Sequence, residues 1–230
     1  MISSRVLYED NHLIAINKKS SEIVQGDKTG DKTLPDDIKE YLKAKFNKPG
    51  NVFCGVIHRL DRPTSGVLLF ARTSKGLSRM NKQFKDKAIK KTYWAILENK
   101  PEKKTNRLVH FLKKNEKQNK SYVSKKDVKG AKEAVLSYTL LASSDRYHLV
   151  EVHLETGRHH QIRAQFSSIG CCVKGDLKYG AKRSNKDGSI CLHSRALEFS
   201  HPTTQDIISL KAPLPHNTFW QLFREVEESH

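Results

Sequence analysis

Short stretches with the residue alternation of β-strands recur along this chain with few helices between them, and this pattern limits the fold more than any other feature. The stretches lie at residues 5–8, 13–17, 55–58, 67–72, 91–97, 134–142, 147–154 and 207–211. Two neighbouring parallel strands need a crossover connection of about a dozen residues or more, usually a helix. Several consecutive stretches have no such connection between them, so the sequence predicts an α+β fold with a mixed, mostly antiparallel sheet and flanking helices.

Four segments have the pattern of helices that would flank this sheet. The first begins beside Pro35 and carries apolar residues spaced by four. Ser74 is expected to cap the second helix, and Thr156 is expected to cap the third, which ends at Gly170. The fourth covers residues 219–226.

The charge of the chain favours a polyanionic partner. It has 42 Lys and Arg against 25 Asp and Glu, a net charge of +17, of which residues 82–132 supply +12. A solvated lysine face is the alternative, but an excess of this size favours a nucleic-acid surface. We expect one domain over residues 1–230, with a basic hairpin, insertion or long loops at about 100–132.

Other classes of protein have little support in the sequence. The four cysteines form no Cys-x-x-Cys pair, which favours a reducing cytoplasm over a disulfide framework or a zinc site. No stretch approaches the ~20 apolar residues of a membrane span, and no signal peptide is expected. Because nucleotide-binding, zinc-hydrolase and serine-hydrolase motifs are missing, we expect ordinary side chains to do any chemistry, with no cofactor and no metal.

Asp61 is the first candidate for chemistry. It lies in the run HRLDRPTSG, where Pro63 and Gly66 predict a turn and Arg59 and Arg62 supply positive charge. An aspartate in such a turn commonly bonds backbone amides. A carboxylate among apolar residues instead needs a charged partner to stay ionised, and such an aspartate is a candidate nucleophile.

Two further segments hold candidate residues. In LETGRHHQIR, the donors Arg158, Gln161 and Arg163 gather near a helix N-terminus, where either solvation or anion binding fits. In KTYWAIL, side chains alternate between the faces of a strand, so only one of Tyr93 and Trp94 can face a given pocket, and core packing is the usual role of either.

These segments resemble, in order, those of the RluA family of RNA pseudouridine synthases. HRLDRPTSGVLLFAR is similar to the catalytic motif of that family, and LETGRHHQIR is similar to its second signature. KTYWAIL, LHSRALEFSHP and the opening YEDNHLIAINK also match, so the resemblance spans most of residues 7–202. The chain departs from the family in having Lys19-Ser20-Ser21 where many members have Pro-Ser-Gly, and we expect no N-terminal S4 domain.

The resemblance implies the role of each site residue. Asp61 would be the nucleophile, attacking C1′ or C6 or assisting a glycal route. Arg163 would pair with Asp61, and Tyr93 would stack on the uracil and deprotonate C5. Arg59 would fill the space left by a flipped base, and Arg62, Arg158 and His160 would contact RNA.

The resemblance leaves the substrate open between large-subunit ribosomal RNA, transfer RNA and both. It implies an RNA partner, with neither a membrane nor an obligate protein partner, and a monomer is the default expectation. The alternative function is a catalytically inactive RNA-binding or ribosome-assembly protein on the same scaffold. A basic membrane-surface protein would need an amphipathic helix with exposed aromatics, which the sequence lacks.

Overall fold

The computed structural model describes residues 1–26 and 30–229, and the chain divides into two compact units. Unit 1 comprises Met1–Lys90 and Ser194–Pro213, and unit 2 comprises Lys91–His193 and Leu214–His230. The α+β prediction is confirmed, and the prediction of a single domain over residues 1–230 stays a prediction.

Unit 1 consists of short strands and two helices. The strands are β1 (Val6–Glu9), β2 (Leu13–Lys18), β3 (Gly55–Val56), β4 (Ser65–Ala71), β10 (Leu192–Ser200, from Ser194 onward in this unit) and β11 (Ile207–Lys211). The helices are α1 (Leu34–Lys45) and α2 (Ser74–Lys85). The pairs β1–β2, β2–β4, β3–β4 and β10–β11 are antiparallel. All seven residues of β4 are buried, so this strand lies in the core of unit 1.

Unit 2 contains a five-stranded antiparallel sheet in the order β5-β9-β8-β6-β7. Its strands are β5 (Lys90–Leu97, from Lys91 in this unit), β6 (Thr105–Asn115), β7 (Lys120–Ser124), β8 (Lys132–Ser143) and β9 (His148–Leu154). The α-helices of the unit are α3 (Gln161–Ser168), α4 (Thr218–Gln221) and α5 (Arg224–Ser229). Phe166 of α3 packs on Tyr138 of β8, with ring centroids 5.3 Å apart, and this contact holds α3 against the sheet.

The lysine-rich segment forms a hairpin of this sheet rather than long loops. Strands β6 and β7 pair from Phe111↔Ser124 to Asn115↔Lys120, and β6 also pairs with β8 over eight residues. The predicted basic hairpin is therefore present, and its first strand is an internal strand of the sheet.

Three helix predictions are corrected at their ends. Helix α2 is capped by Thr73, whose hydroxyl accepts a hydrogen bond from the Gly76 amide, and Ser74 is its first residue. Helix α3 begins at Gln161 rather than after Thr156. The single helix expected at 219–226 is split into α4 and α5. No helix in the described part of the chain has the length and apolarity that a membrane crossing requires.

Candidate active site

Asp61 lies in the connection between β3 and β4 of unit 1, and its side chain is half-buried. The Thr64 amide donates to the Asp61 carbonyl oxygen at 3.0 Å, which closes a turn over Arg62 and Pro63. The predicted turn is therefore confirmed around Pro63. It places Asp61 at the entry of a hydrogen-bonded turn that leads directly into a fully buried strand.

Gly66 is not a turn residue but the second residue of β4, and the reason for a glycine there is a close approach of β10. Its φ is +111°, and a Cβ at this position would lie 2.2 Å from the Ser194 carbonyl oxygen. Any larger side chain would collide with backbone atoms.

Lys18, at the end of β2, holds the backbone of the turn through hydrogen bonds. Only 1% of this residue is exposed. Its Nζ donates to the carbonyl oxygens of Thr64 at 2.7 Å, Arg62 at 3.1 Å and Asp61 at 3.4 Å, and also to that of Lys19. Burial lowers the pKa of Lys18 from 10.5 to about 8, so the amine is still protonated at pH 7. Sequence reasoning missed this residue, although a lysine directly after the strand-like run LIAIN could have signalled it.

Arg59 and Arg62 are exposed on the surface of unit 1 around this turn. The guanidinium of Arg59 donates to Gln25 Oε1 at 2.6 Å, and Nε of Arg62 donates to the Ser21 carbonyl oxygen at 3.1 Å. The adjacent His58 has a structural role, because its Nε2 accepts from the Leu69 amide. The predicted RNA contacts of the two arginines stay predictions.

Tyr93 and Trp94 lie next to each other on β5 of unit 2, where side chains alternate. Trp94 belongs to the core cluster that includes Trp220, and its Nε1 donates to Glu151 Oε2 at 3.1 Å. Tyr93, which is opposite Val152 in the register, is 9% exposed. Trp94 is therefore a core aromatic, and the role of the buried Tyr93 in chemistry stays a prediction.

Arg163 lies in the first turn of α3 and is buried, with 6% of its side chain exposed. Its Nε donates to Asp176 Oδ2 at 2.6 Å, and its Nη2 donates to Asp176 Oδ1 at 2.8 Å. The guanidinium carbon also lies 4.9 Å from the centroid of the Tyr179 ring. The sequence prediction named Asp61 as the partner of Arg163. That pairing stays a prediction, and sequence reasoning missed Asp176 and Tyr179.

Helix α3 begins at Gln161, because the hydroxyl of Thr156 is hydrogen-bonded to strand β8 and does not cap the helix. The Thr156 hydroxyl accepts from the Val135 amide at 2.8 Å and donates to Gln161 Oε1 at 2.7 Å. Gln161 is itself buried and donates to the Val135 carbonyl oxygen, so it is a structural residue rather than the anion donor that the sequence suggested. Arg158 remains exposed and donates to the Glu133 carbonyl oxygen.

His160 precedes α3 in the left-handed region, with a φ of 54°. Its ring stacks on His159 with centroids 3.7 Å apart, and its Nδ1 lies 3.0 Å from the hydroxyl of Tyr179. Burial, with the positive charge of Arg163 as the next cause, lowers the pKa of His160 to about 2. The imidazole is therefore neutral at physiological pH, and any RNA contact by His160 would be a hydrogen bond and not an ion pair.

The candidate residues thus fall into two groups, one in each unit. Unit 1 carries Asp61 with Arg59 and Arg62, and unit 2 carries the rest, namely Tyr93, Arg158, His160 and Arg163. Over residues 1–26 and 30–229, no group of three or more His, Cys, Asp or Glu side chains could hold a metal ion.

Comparison with known proteins identifies the family. The sequence model described as RNA pseudouridylate synthase matches residues 12–168. An uncharacterized RNA pseudouridine synthase of Bacillus subtilis, YhcT, is 32% identical over 91% of this chain and 68% of its own length. The ribosomal large subunit pseudouridine synthase C of Rickettsia prowazekii is 32% identical over 94% of this chain and 69% of its own length.

Solved structures show the same fold. Human RNA pseudouridylate synthase domain containing 4 has a TM-score of 0.83 at 22% identity, covering 98% of this chain and 94% of that one. Human RNA pseudouridylate synthase domain containing 1 has a TM-score of 0.66 at 19% identity, covering 97% and 94%. The chain belongs to the RNA pseudouridylate synthase family and is an RNA pseudouridine synthase. The resemblance to the RluA family is confirmed.

Proposed function

We propose that this chain isomerises specific uridines of structured RNA, using Asp61 as the nucleophile and no cofactor. The N1–C1′ bond of uridine breaks, the C5–C1′ bond forms, C5 loses a proton and N1 gains one. Nothing is added or lost overall, so the enzyme needs a nucleophile, a proton acceptor and a means to hold the detached base. Large-subunit ribosomal RNA is the first substrate class to test, because several relatives are named for it, and transfer RNA is the second.

The observation that carries the proposal is the anchored turn of Asp61. Its backbone is held by the buried Lys18 ammonium, while the Asp61 side chain keeps partial exposure. A fixed backbone limits the positions that a nucleophilic carboxylate can take, which favours reaction with a bound base. Attack at C1′, addition at C6 and assistance to a glycal all need this carboxylate ionised.

Arg163 and Tyr93 complete the proposed chemistry. Arg163 supplies a buried cation that favours the ionised carboxylate of Asp61, as the family resemblance implies. Tyr93 stacks on the uracil and accepts the C5 proton late in the reaction. A phenol has an ordinary pKa near 10, so proton transfer near neutral pH needs local assistance.

RNA binding is proposed to rest on the positive charge of unit 2 and on the arginines near Asp61. Exposed lysines of the β6–β7 hairpin hold phosphates without reading sequence. A stacked uridine must leave its helix to react, which costs a few kcal/mol, and the exposed Arg59 guanidinium is proposed to fill the vacated stack. Arg62, Arg158 and His160 contact the flanking RNA. We place this activity in the cytoplasm, with a monomeric enzyme.

The test is to map pseudouridines in ribosomal and transfer RNA of cells with and without the gene, and with Asp61→Asn supplied back. We expect specific sites to disappear on deletion, to return with the wild type and to stay absent with Asp61→Asn. Asp86→Asn, a matched change at an exposed aspartate that ends α2, should restore them. If every pseudouridine site remains after deletion, the result would support the alternative of an inactive RNA-binding protein.

A further inference from the structure

The geometry points to Asp176 and Tyr179 as positioning residues that fix the guanidinium of Arg163 before RNA binds. This inference rests on the proposed role of Arg163 in the reaction. Neither residue is proposed to touch substrate. Both belong to unit 2 and act through their contacts with Arg163.

Asp176 holds Arg163 with both carboxylate oxygens. The two hydrogen bonds, 2.6 Å to Nε and 2.8 Å to Nη2, join planar groups edge to edge. Such a two-pronged contact fixes the plane of the guanidinium as well as its distance. Only 1% of the Asp176 side chain is exposed, so water competes little for either bond. The carboxylate also offsets a cation that would be costly to bury alone.

The aromatic ring of Tyr179 packs against the guanidinium of Arg163 and limits its movement. The ring centroid lies 4.9 Å from the guanidinium carbon, within the range of a cation–π contact. The ring itself is held by its hydroxyl, which accepts from the Ser121 amide at 2.8 Å and lies 3.0 Å from Nδ1 of His160. Arg163 therefore packs on an aromatic ring that is tied both to strand β7 and to the residue preceding α3.

A single short helix presents both groups. Leu177–Tyr179 form a 3₁₀ helix in which the Tyr179 amide donates to the Asp176 carbonyl oxygen at 3.0 Å. Asp176 is the N-cap residue of this helix and Tyr179 is its last residue, so one short segment carries both the carboxylate and the ring. The preceding Gly175 has a φ of +89°, and a Cβ there would lie 2.8 Å from the Ser189 carbonyl oxygen. The chain can follow this path only with glycine at that position.

The consequence is a dependence of turnover on residues away from the reacting atoms. A catalytic cation works only when held within about 0.5 Å of its productive position. Without Asp176, Arg163 retains its charge but loses the contact that sets its direction. RNA affinity, which arises from exposed basic residues, should change little.

The test compares Asp176→Asn with Glu98→Gln in the full-length protein. Glu98 is a matched control, because it is a nearly buried carboxylate of unit 2, with 10% of its side chain exposed, and it pairs with Lys174 instead. Turnover is measured under single-turnover conditions as tritium release from transcripts carrying [5-³H]uridine, since the reaction expels the C5 hydrogen. RNA affinity is measured separately by filter binding, and folding by thermal unfolding.

We expect Asp176→Asn to lower the single-turnover rate about 100-fold, as small misplacements of catalytic groups do, with RNA affinity nearly unchanged. Glu98→Gln should lower the unfolding temperature without this loss of rate. The Nε–H resonance of Arg163 in ¹⁵N-arginine-labelled protein should shift in Asp176→Asn alone. Tyr179→Leu should reduce the rate more than Tyr179→Phe, which keeps the ring and provides the test if Asp176→Asn does not fold.

Wild-type turnover in Asp176→Asn, an equal loss in Glu98→Gln or an unchanged Arg163 resonance would each overturn the positioning role. Equal turnover in the two Tyr179 variants would overturn the part assigned to its ring. Failure of the proposed function would look different, because Asp61→Asn would then retain activity or the wild type would release no tritium from any transcript.

Discussion

The Nζ atom of Lys18 lies 2.7 Å from the carbonyl oxygen of Thr64, three residues beyond Asp61 in the same turn. A buried ammonium that binds several carbonyl oxygens fixes the backbone of a segment that has no regular secondary structure of its own. The position of the proposed nucleophile in unit 1 thus depends on a residue at the end of β2.

Replacing Lys18 with methionine should loosen the turn and reduce both stability and turnover. Buried carbonyl oxygens would lose their charged donor, so we expect a loss of about 2 to 3 kcal/mol in the free energy of unfolding. Urea denaturation and the tritium-release assay measure the two effects. Lys19→Met is the control, because the adjacent Lys19 is exposed, and it should leave both quantities near wild type.

Gly66→Ala should destabilise the protein far more than the addition of one methyl group usually does. The new Cβ would lie 2.2 Å from the Ser194 carbonyl oxygen at a backbone φ of +111°, so β4 and β10 must separate or distort. We expect a loss of about 4 kcal/mol or more in the free energy of unfolding, by urea denaturation. Gly50→Ala, where no atom lies within 4 Å of the new Cβ, should be nearly neutral. Equal stability of the two variants would contradict the steric argument.

Tyr93→Phe should separate chemistry from binding. The variant keeps the aromatic ring opposite Val152 on β5, so RNA affinity should be retained. Removing a group that moves a proton in the transition state typically costs 100-fold or more, and we expect a loss of about that size in the single-turnover rate. Tyr147→Phe removes a hydroxyl elsewhere in unit 2 and should have no such effect. Full turnover in Tyr93→Phe would restrict this residue to stacking.

Many of the strands could be predicted from sequence because their signal is local, whereas β6 and β7 lie in the lysine-rich segment, for which the sequence left a hairpin, an insertion or long loops open. The range expected for β11, residues 207–211, agrees with the structure at both ends, since alternation along a strand needs no knowledge of its partners. The start of α3 could not be predicted in this way. A threonine before a helix is a good cap, but the Thr156 hydroxyl is used by Val135, which is distant in sequence.

The candidate site was predicted unevenly for a similar physical reason. Asp61, Tyr93 and Arg163 stood out through the family motifs, whereas Asp176 had no such mark. Its significance comes from a contact with Arg163, thirteen residues earlier, that exists only in the folded unit. The run Gly175-Asp176 followed by Tyr179 offered a weak signal, because a glycine beside an aspartate indicates a special backbone conformation.

The β6–β7 hairpin should account for part of the salt dependence of RNA binding. The triple variant Lys113→Gln, Lys117→Gln, Lys125→Gln removes three exposed charges from the hairpin and its exit. Each phosphate contact contributes about 0.7 to 0.9 to the slope of log affinity against log salt, so the slope should decrease by about 2. A triple variant of unit 1 with the same change in charge (Lys43→Gln, Lys48→Gln, Lys75→Gln) should change the slope less. Equal slopes in the two variants would show that the hairpin lysines make no special contribution to RNA binding.

His160 should make the protein lose stability on the acid side of neutrality. Its pKa falls from 6.5 to about 2 on folding, so below pH 6.5 the unfolded chain binds a proton that the folded protein does not. The free energy of unfolding contributed by this group is therefore constant above pH 6.5 and falls by about 1.4 kcal/mol per pH unit below it. His160→Asn tolerates the left-handed backbone and cannot titrate, so its stability should depend less on pH between 6.5 and 4.

A second histidine of unit 2 provides a control of opposite sign. A hydrogen bond from the His153 imidazole to the Glu151 carboxylate raises the pKa of His153, so its contribution is present below the unfolded pKa and is lost as the pH rises through the folded value. Removing it in His153→Asn should change the profile only between pH 6.5 and the raised folded pKa, where stability would no longer fall as the pH rises, whereas His160→Asn should make the loss below pH 6.5 shallower. Urea denaturation from pH 4 to pH 8 distinguishes the two slopes. A wild-type pH profile in His160→Asn would show that folding leaves the pKa of this imidazole near its ordinary value of 6.5.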